Sequence, residues 1–426
     1  MSDLKFSSGD TAWLLICTAL VLLMTPGLAL YYGGMVRRKN VLGTLIQSWI
    51  VMGVVAIEWA IVGYSLSFDR GSPVIGGCSY AFLSWKNLAG LSPSGYADTA
   101  PHIAFACFQM MAATFGVALI FGAVADRMKF KALIVFTSLW TLLIYAPIAH
   151  TVWGNGGLLR GVFENGQPFA ASGKYPMLDF AGGAVLQAAA GVAALVCCVV
   201  LGNRVNYERE PMPPHNMVLT TTGAGLLWFG WMGLIGGSAM RASEVAAVAF
   251  AATHLAAAAA MLTWVVIEWK HRGHPSLLGA VSGAITGLAA ISPAAGFIEP
   301  INGIWIGIIG SAAAYLAIGV LKARLNYDDS LDTFGVHGVG GIVGVLLTGV
   351  FASAAVNPAG TDGLFRNHPL QMVNQIIGVL AVVSFSSIGT FVLLKITGAL
   401  VGLRVSKDEE LEGLDLTQHR EVGYNL

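Results

Sequence analysis

Apolar residues run along this chain in long blocks separated by short polar links. Residues 12–34, 41–66, 102–125, 132–153, 177–202, 217–236, 245–269 and 370–403 each reach or exceed the roughly 20 residues a helix needs to cross a hydrocarbon layer. Residues 277–291, 301–321 and 333–355 add three more, the first of them short. The pattern predicts an all-α integral membrane protein with eleven transmembrane helices, because in lipid only a helix or a closed barrel satisfies its own backbone.

Two of these blocks carry polar side chains well inside them. Asp179-Phe180-Ala181-Gly182-Gly183 leads to Gln187, and Phe334-Gly335-Val336-His337-Gly338 follows Asp332. Such groups are costly in a bilayer and mark a substrate path, a proton relay or a buried partner. They close two halves of five spans each, about 12–202 and 217–355. Because five is odd, a repeated half must be inverted, a plan that places polar sites near the midplane. A long eleventh helix, about 370–403, stands outside both halves of a membrane domain covering 1–403, and residues 404–426 form a tail.

Composition supports the membrane assignment and sets its direction. The chain is 56% apolar and only 11% charged, with a mean hydropathy of +0.71. Its formal net charge is zero, which gives no reason to expect nucleic-acid binding. Fifteen basic residues, including Arg37, Arg127, Arg204, Lys270 and Lys322, fall in alternate loops and the tail, against seven on the other side. By the positive-inside rule the N-terminus is outside and the C-terminus inside. No removable signal peptide is read at the start, so the expected location is the cell inner (plasma) membrane, multi-pass. Fifty-three glycines, many within the spans, suit close helix packing. The five cysteines form neither a CxxC motif nor a disulfide framework, and no metal site or cofactor is expected.

Several motifs then narrow the reading. Pro26-Gly27-Leu28-Ala29-Leu30-Tyr31-Tyr32-Gly33-Gly34, Pro147-Ile148-Ala149-His150-Thr151-Val152-Trp153-Gly154, Asp179-Phe180-Ala181-Gly182-Gly183, Pro275-Ser276-Leu277-Leu278-Gly279-Ala280 and Phe334-Gly335-Val336-His337-Gly338 occur in this order. The chain resembles the ammonium transporter (Amt/Mep/Rh) family from its first span to its tail. The resemblance implies a homotrimer in the lipid bilayer, a narrow pore in each subunit and a possible PII-type or other signalling partner at the cytoplasmic tail. It makes Trp153 and Ser238, with Phe108 and position 112, the external ammonium recruitment site. It makes Asp179 and Asp332 structural and electrostatic elements. For both, a helix-capping role is the leading reading; membership of a proton relay remains open for Asp179.

The chemistry is plausible on the residues alone. A site that strips water from ammonium must return stabilisation through oxygen acceptors and aromatic faces, and a Trp face contributes about 2 kcal/mol or more when desolvated. Trp231, Leu234 and Ser238 share one helix face at i, i+3 and i+7. A packed core produces such a stripe too, but the resemblance places it in the pore and gate.

Three pore positions depart from the family pattern, and three residues elsewhere do too. Gln187 stands where one of two facing histidines is usual, opposite His337. An imidazole titrates near neutrality, whereas an amide only donates and accepts hydrogen bonds. Ala112 and Leu234 replace the two stacked phenylalanines of the gate, so the route from Trp153 and Ser238 to Gln187 and His337 is expected to widen. Glu58 and His254 are unusual ionisable groups that pair with one another, face a subunit interface, mark a second path or are simply buried and satisfied. Arg420 replaces a turn glycine in the tail, which predicts a different fold there or docking against another partner.

Two functions follow. The chain conducts ammonium or ammonia with an altered gate and relay, or it senses ammonium in a widened vestibule and signals through its C-terminal region with little transport. No output domain is recognisable in these residues, which favours conduction unless they are part of a longer protein. No nucleophile, cofactor loop or metal-ligand set accompanies His337, so an enzyme is not expected.

Overall fold

A computed structural model of the chain describes residues 6–93, 95–164, 167–168 and 172–424. Among these, ten helices are long and apolar enough to cross a membrane: α1 (Ser8–Met35), α2 (Arg38–Phe68), α3 (His102–Val124), α4 (Phe130–Trp153), α5 (Gly183–Leu201), α6 (Met217–Ser238), α7 (Glu244–Arg272), α9 (Asn302–Leu325), α10 (Phe334–Phe351) and α11 (Pro369–Val401). Between α7 and α9 lies the shorter apolar helix α8 (Leu277–Ile291). The only strands among the described residues are Phe163–Glu164 and Gln167–Pro168, paired as a small hairpin in the α4–α5 link.

Local sequence explains where the helices start. Ser7, Asn216, Ser243 and Ser276 cap α1, α6, α7 and α8, each side chain accepting a free backbone N–H of the first turn. Interior packing then relies on small residues. Helices α1 and α6 run against each other so closely that a Cβ on Gly27 would meet the backbone of α6, and one on Gly230 would meet the Leu20 carbonyl. Gly283 and Gly287 of α8 abut the backbone of α7, as expected where lipid supplies no hydrophobic drive for helix association.

Helices α5 and α10 cross at the centre through a reciprocal contact. A Cβ on Gly191 would run into Gly338 and the carbonyl carbon of His337. One on Gly341 would run into Gln187 and Ala188. The paired positions 187 and 337, 188 and 338, and 191 and 341 all lie 150 residues apart. Both helices also open with a π-helical turn, Gly183–Ala188 and Phe334–Val339.

The end of the bundle where α10 begins is tied by buried charge. Arg204 pairs with Asp328 at 2.8 Å and with Asp126 at 3.4 Å, while Arg37 reaches Asp126 at 3.0 Å. Burial by itself raises the Asp328 carboxyl, but the Arg204 hydrogen bond and the charges of Arg127 and Arg204 hold it below the usual value. The tail folds onto this end as α12 (Lys407–Glu412) and α13 (Leu414–His419). Glu410 accepts from the Val205 amide at 2.6 Å, and Asp415 accepts from the Gly43 amide near the start of α2 at 2.7 Å. Tyr424 Oη lies 3.0 Å from His215 Nε2. Contrary to the expectation from its side chain, Arg420 takes the left-handed conformation (φ 57°, ψ 35°) and closes α13. The turn is retained because a single αL residue costs only about 1–2 kcal/mol, and the tail's bonds to Asn40, Gly43 and Val205 hold its path.

Candidate functional site

At the end of the bundle where α5 begins, a vestibule of about 700 Å³ opens between α3, α4, α5 and α6. Trp153, Phe108, Ala112, Leu234, Ser238 and Asp179 all line it. Trp153 Nε1 donates to the Asp179 carbonyl at 2.8 Å, which fixes the indole at the wall. Ser238 Oγ donates to the Leu234 carbonyl at 2.8 Å. Its own lone pairs therefore remain free to accept a hydrogen bond.

Asp179 supports this wall from below. Its carboxylate accepts the amides of Gly182, Gly183, Ala184 and Val185 at 2.6–3.1 Å. Those are the orphan donors of a helix start, so the capping geometry expected for Asp179 is present. The turn is possible because Gly182 takes φ 89°. Gln375 of α11 fixes the segment further, accepting from the Leu178 amide and donating to the Leu178 carbonyl.

For Asp332 the geometry differs from the expectation. The cap of α10 is Asp329, which accepts from Thr333 and Phe334 amides at 3.0 and 2.7 Å. Asp332 instead occupies the left-handed position of the turn (φ 57°), 150 residues after Gly182, and pairs with Lys322 at 2.7 Å. Asp is one of the few side chains that tolerate αL, which explains its presence there. Asp329 precedes His337 by eight residues, as Asp179 precedes Gln187. That spacing is the signal in the sequence that identifies the cap.

The deeper pair meets as expected. His337 Nδ1 lies 2.8 Å from Gln187 Oε1, with the two residues 1% and 0% exposed. An amide oxygen only accepts, so Nδ1 carries the proton and Nε2 the lone pair. Trp231 stacks parallel to the imidazole with centroids 6.4 Å apart, and its Nε1 donates to Ser292 Oγ at 3.0 Å. Phe115 meets the Trp231 ring edge-on at 5.3 Å.

Trp231, Gln187 and His337 do not line the vestibule, whose floor includes Leu186, Ala112 and Leu234. The vestibule bordered by Ala112 and Leu234 thus does not extend to Gln187 and His337. Leu186, packed against Gly116, fills the level below Ala112.

Glu58 and His254 are not brought together with the pair or bonded to one another. Glu58 is half-buried, its Oε2 without a partner, and His254 is exposed beside Trp228. His150 Nδ1 and Nε2 lie 3.1 and 2.9 Å from the Ser67 and Ser72 carbonyls, and a neutral ring donates to one of the two. Among the described residues no cluster of three or more His, Cys, Asp or Glu converges as a metal site.

A sequence profile described as "Ammonium Transporter Family" matches residues 12–424. The chain belongs to the ammonium transporter family. It is 45% identical over 418 residues to the "Ammonium transporter" of Bacillus subtilis, covering 98% of each chain. The crystal structure of Saccharomyces cerevisiae Mep2 superposes with a TM-score of 0.85 at 34% identity, over 95% of this chain and 92% of that one. A structure described as "Sensor Amt Protein" superposes equally well at 26% identity, over 96% and 98%. Family membership fits a multi-pass membrane protein and gives no support to an enzyme.

Proposed function

We propose that the chain recruits ammonium from the vestibule and conducts ammonium or ammonia through a pore in each subunit, with an altered gate and relay. The observation that carries this is the vertical order of groups: Trp153, Ser238 and Asp179 around an open chamber, then the buried Gln187–His337 pair beneath it. Trp153 and Ser238 supply an aromatic surface and an acceptor hydroxyl to a desolvating cation. The Asp179 carboxylate, although consumed by four amides, contributes negative charge beneath them. Gln187 holds His337 in one tautomer, and a pair with one imidazole does not shuttle protons as two do.

Several finer points belong to the same proposal. The membrane domain, 1–403, has eleven spans including α8, with its N-terminus outside and C-terminus inside, in the inner (plasma) membrane, and assembles as a homotrimer. Its halves, about 12–202 and 217–355, are inverted copies, as the 150-residue offset at the centre supports. The tail, residues 404–426, is the surface offered to a PII-type or other signalling partner.

Sensing is the second reading. It is favoured by a vestibule that does not extend to the pair, and by tail contacts to the start of α2 and to the α5–α6 link. Uptake of isotope-labelled ammonium into proteoliposomes separates the two: protein-dependent flux supports conduction, while saturable binding without flux supports sensing.

A further inference from the structure

Two outer links border the vestibule, and one carboxylate outside it ties them together. The α2–α3 link contributes Asp98 and Thr99 to the lining, and the α6–α7 link contributes Met240 and Arg241. No described residue of α1 lines the chamber. Yet Asp10, in the first turn of α1, holds one link on each carboxylate oxygen: it accepts from Thr99 Oγ1 at 2.6 Å and from the Ala242 amide at 3.0 Å. The Ser7 amide adds a bond to the Thr99 carbonyl at 2.9 Å.

A second bond from the same face of α1 fixes the level of Ser238. Trp13, three residues after Asp10, donates from Nε1 to the Gly236 carbonyl at 2.9 Å. Ties at positions 236 and 242 thus bracket Ser238, which lines the chamber between them. The segment between the ties carries strain. Met240 holds φ 59°, a left-handed conformation that a residue with a side chain disfavours and keeps only where its surroundings over-determine it. The Asp10 bond to Ala242 lies two residues beyond it. Because Asp10 is outside the lining and spends both oxygens on these ties, it acts on the chamber through the two links.

Resting on the ammonium-recruitment reading above, we propose that Asp10 is a positioning residue for the recruitment site. By joining the two links it sets where the Asp98–Thr99 segment stands relative to Ser238, and so how closely the chamber fits a desolvating cation. Groups that hold a ligand lose affinity when their supporting contacts are loosened, even where no direct contact is removed. The role needs bonding capacity rather than charge. An asparagine at position 10 meets it, its oxygen accepting the Ala242 amide and its NH2 donating to the Thr99 hydroxyl, which accepts as well as donates.

Calorimetric titration of the purified full-length protein with ammonium chloride, read beside its melting temperature, tests this. Asp10→Ala, which cuts both ties, is expected to weaken binding about fivefold or more at unchanged stoichiometry. Asp10→Asn, which keeps them, stays within about twofold of wild type. A merely structural Asp10 would lower the melting temperature or the binding-competent fraction and leave the affinity of the folded protein unchanged, so wild-type affinity in Asp10→Ala overturns the proposal. Equal weakening in both variants overturns it too, because Asp10 would then supply charge and not position. If Asp10→Ala does not accumulate, Thr99→Val and Thr99→Ser take its place: the valine is expected to weaken binding and the serine to restore it, and equal affinities overturn the proposal. Trp153→Ala separates the two claims. If it loses binding while Asp10→Ala does not, recruitment stands and only the positioning role falls; a wild type that binds no ammonium brings down the recruitment reading itself.

Discussion

The starts of α5 and α10 are built on one plan and finished differently. In each, an aspartate eight residues upstream of a central polar side chain caps the helix, a left-handed residue follows three positions after the aspartate, and a glycine twelve positions after it meets the opposite helix. At the vestibule end, the left-handed residue is Gly182 and Asp179 takes four amides. At the other end it is Asp332, held by Lys322, and Asp329 takes two. The central side chains diverge most, an amide at 187 and an imidazole at 337. Common backbone geometry is thus kept where packing demands it, and the chemistry changes most at the level where the two central side chains meet.

The largest expected effect comes from breaking the contact that both helices share. Gly191→Leu drives a branched side chain into the backbone of α10 at Gly338. Overpacking costs about 1–3 kcal/mol and more where only backbone can yield, so the purified protein should melt well below wild type or fail to accumulate. A wild-type melting temperature would contradict the close crossing.

Next in size is the inequality of the two caps. Asp179→Ala strands four amides and Asp329→Ala two, and each buried donor left unsatisfied costs about 1–3 kcal/mol. Thermal unfolding should show Asp179→Ala as the more damaging change. Equal losses would mean that the Lys322 and Asp332 charges beside Asp329 matter as much as the extra amides.

Gln187→His removes the chemical difference itself. A second imidazole restores a group that titrates near neutral pH, so current across proteoliposomes under an ammonium gradient should rise several-fold or appear where wild type shows none. An unchanged current would show that the amide does not limit charge movement.

The smallest effect is a pH slope at Asp329. Burial, partly opposed by Lys322 and reinforced by Asp332, pushes its carboxyl from 3.8 up to about 6. A raised carboxyl binds more protons folded than unfolded, so its contribution to stability falls as pH rises from about 4 to 6. Asp329→Asn should flatten that part of the melting profile.

Much of this fold was legible in the hydrophobic pattern, since a span of apolar residues can be little else in lipid. The short α8 was the weakest span in the pattern and remains the one below spanning length. Gln187 and His337 were legible as a pair because polar groups inside apolar helices stand out. Asp329 was missed because Asp332 lies nearer the motif; only the eight-residue spacing separates cap from turn, and it becomes visible when the two halves are compared. The packing below Ala112 was equally hidden, as Ala112 and Leu234 say nothing about Leu186 filling the space from α5. Arg420 shows the limit of local preference: the surrounding tail bonds impose αL on a residue that disfavours it.

The most direct test of the account is uptake of isotope-labelled ammonium by proteoliposomes at acidic external pH, where little neutral ammonia exists to leak through lipid. The account predicts saturable flux above protein-free vesicles, reduced in Trp153→Ala. Flux equal to that of protein-free vesicles, with saturable ammonium binding intact, would contradict conduction and leave the chain a sensor.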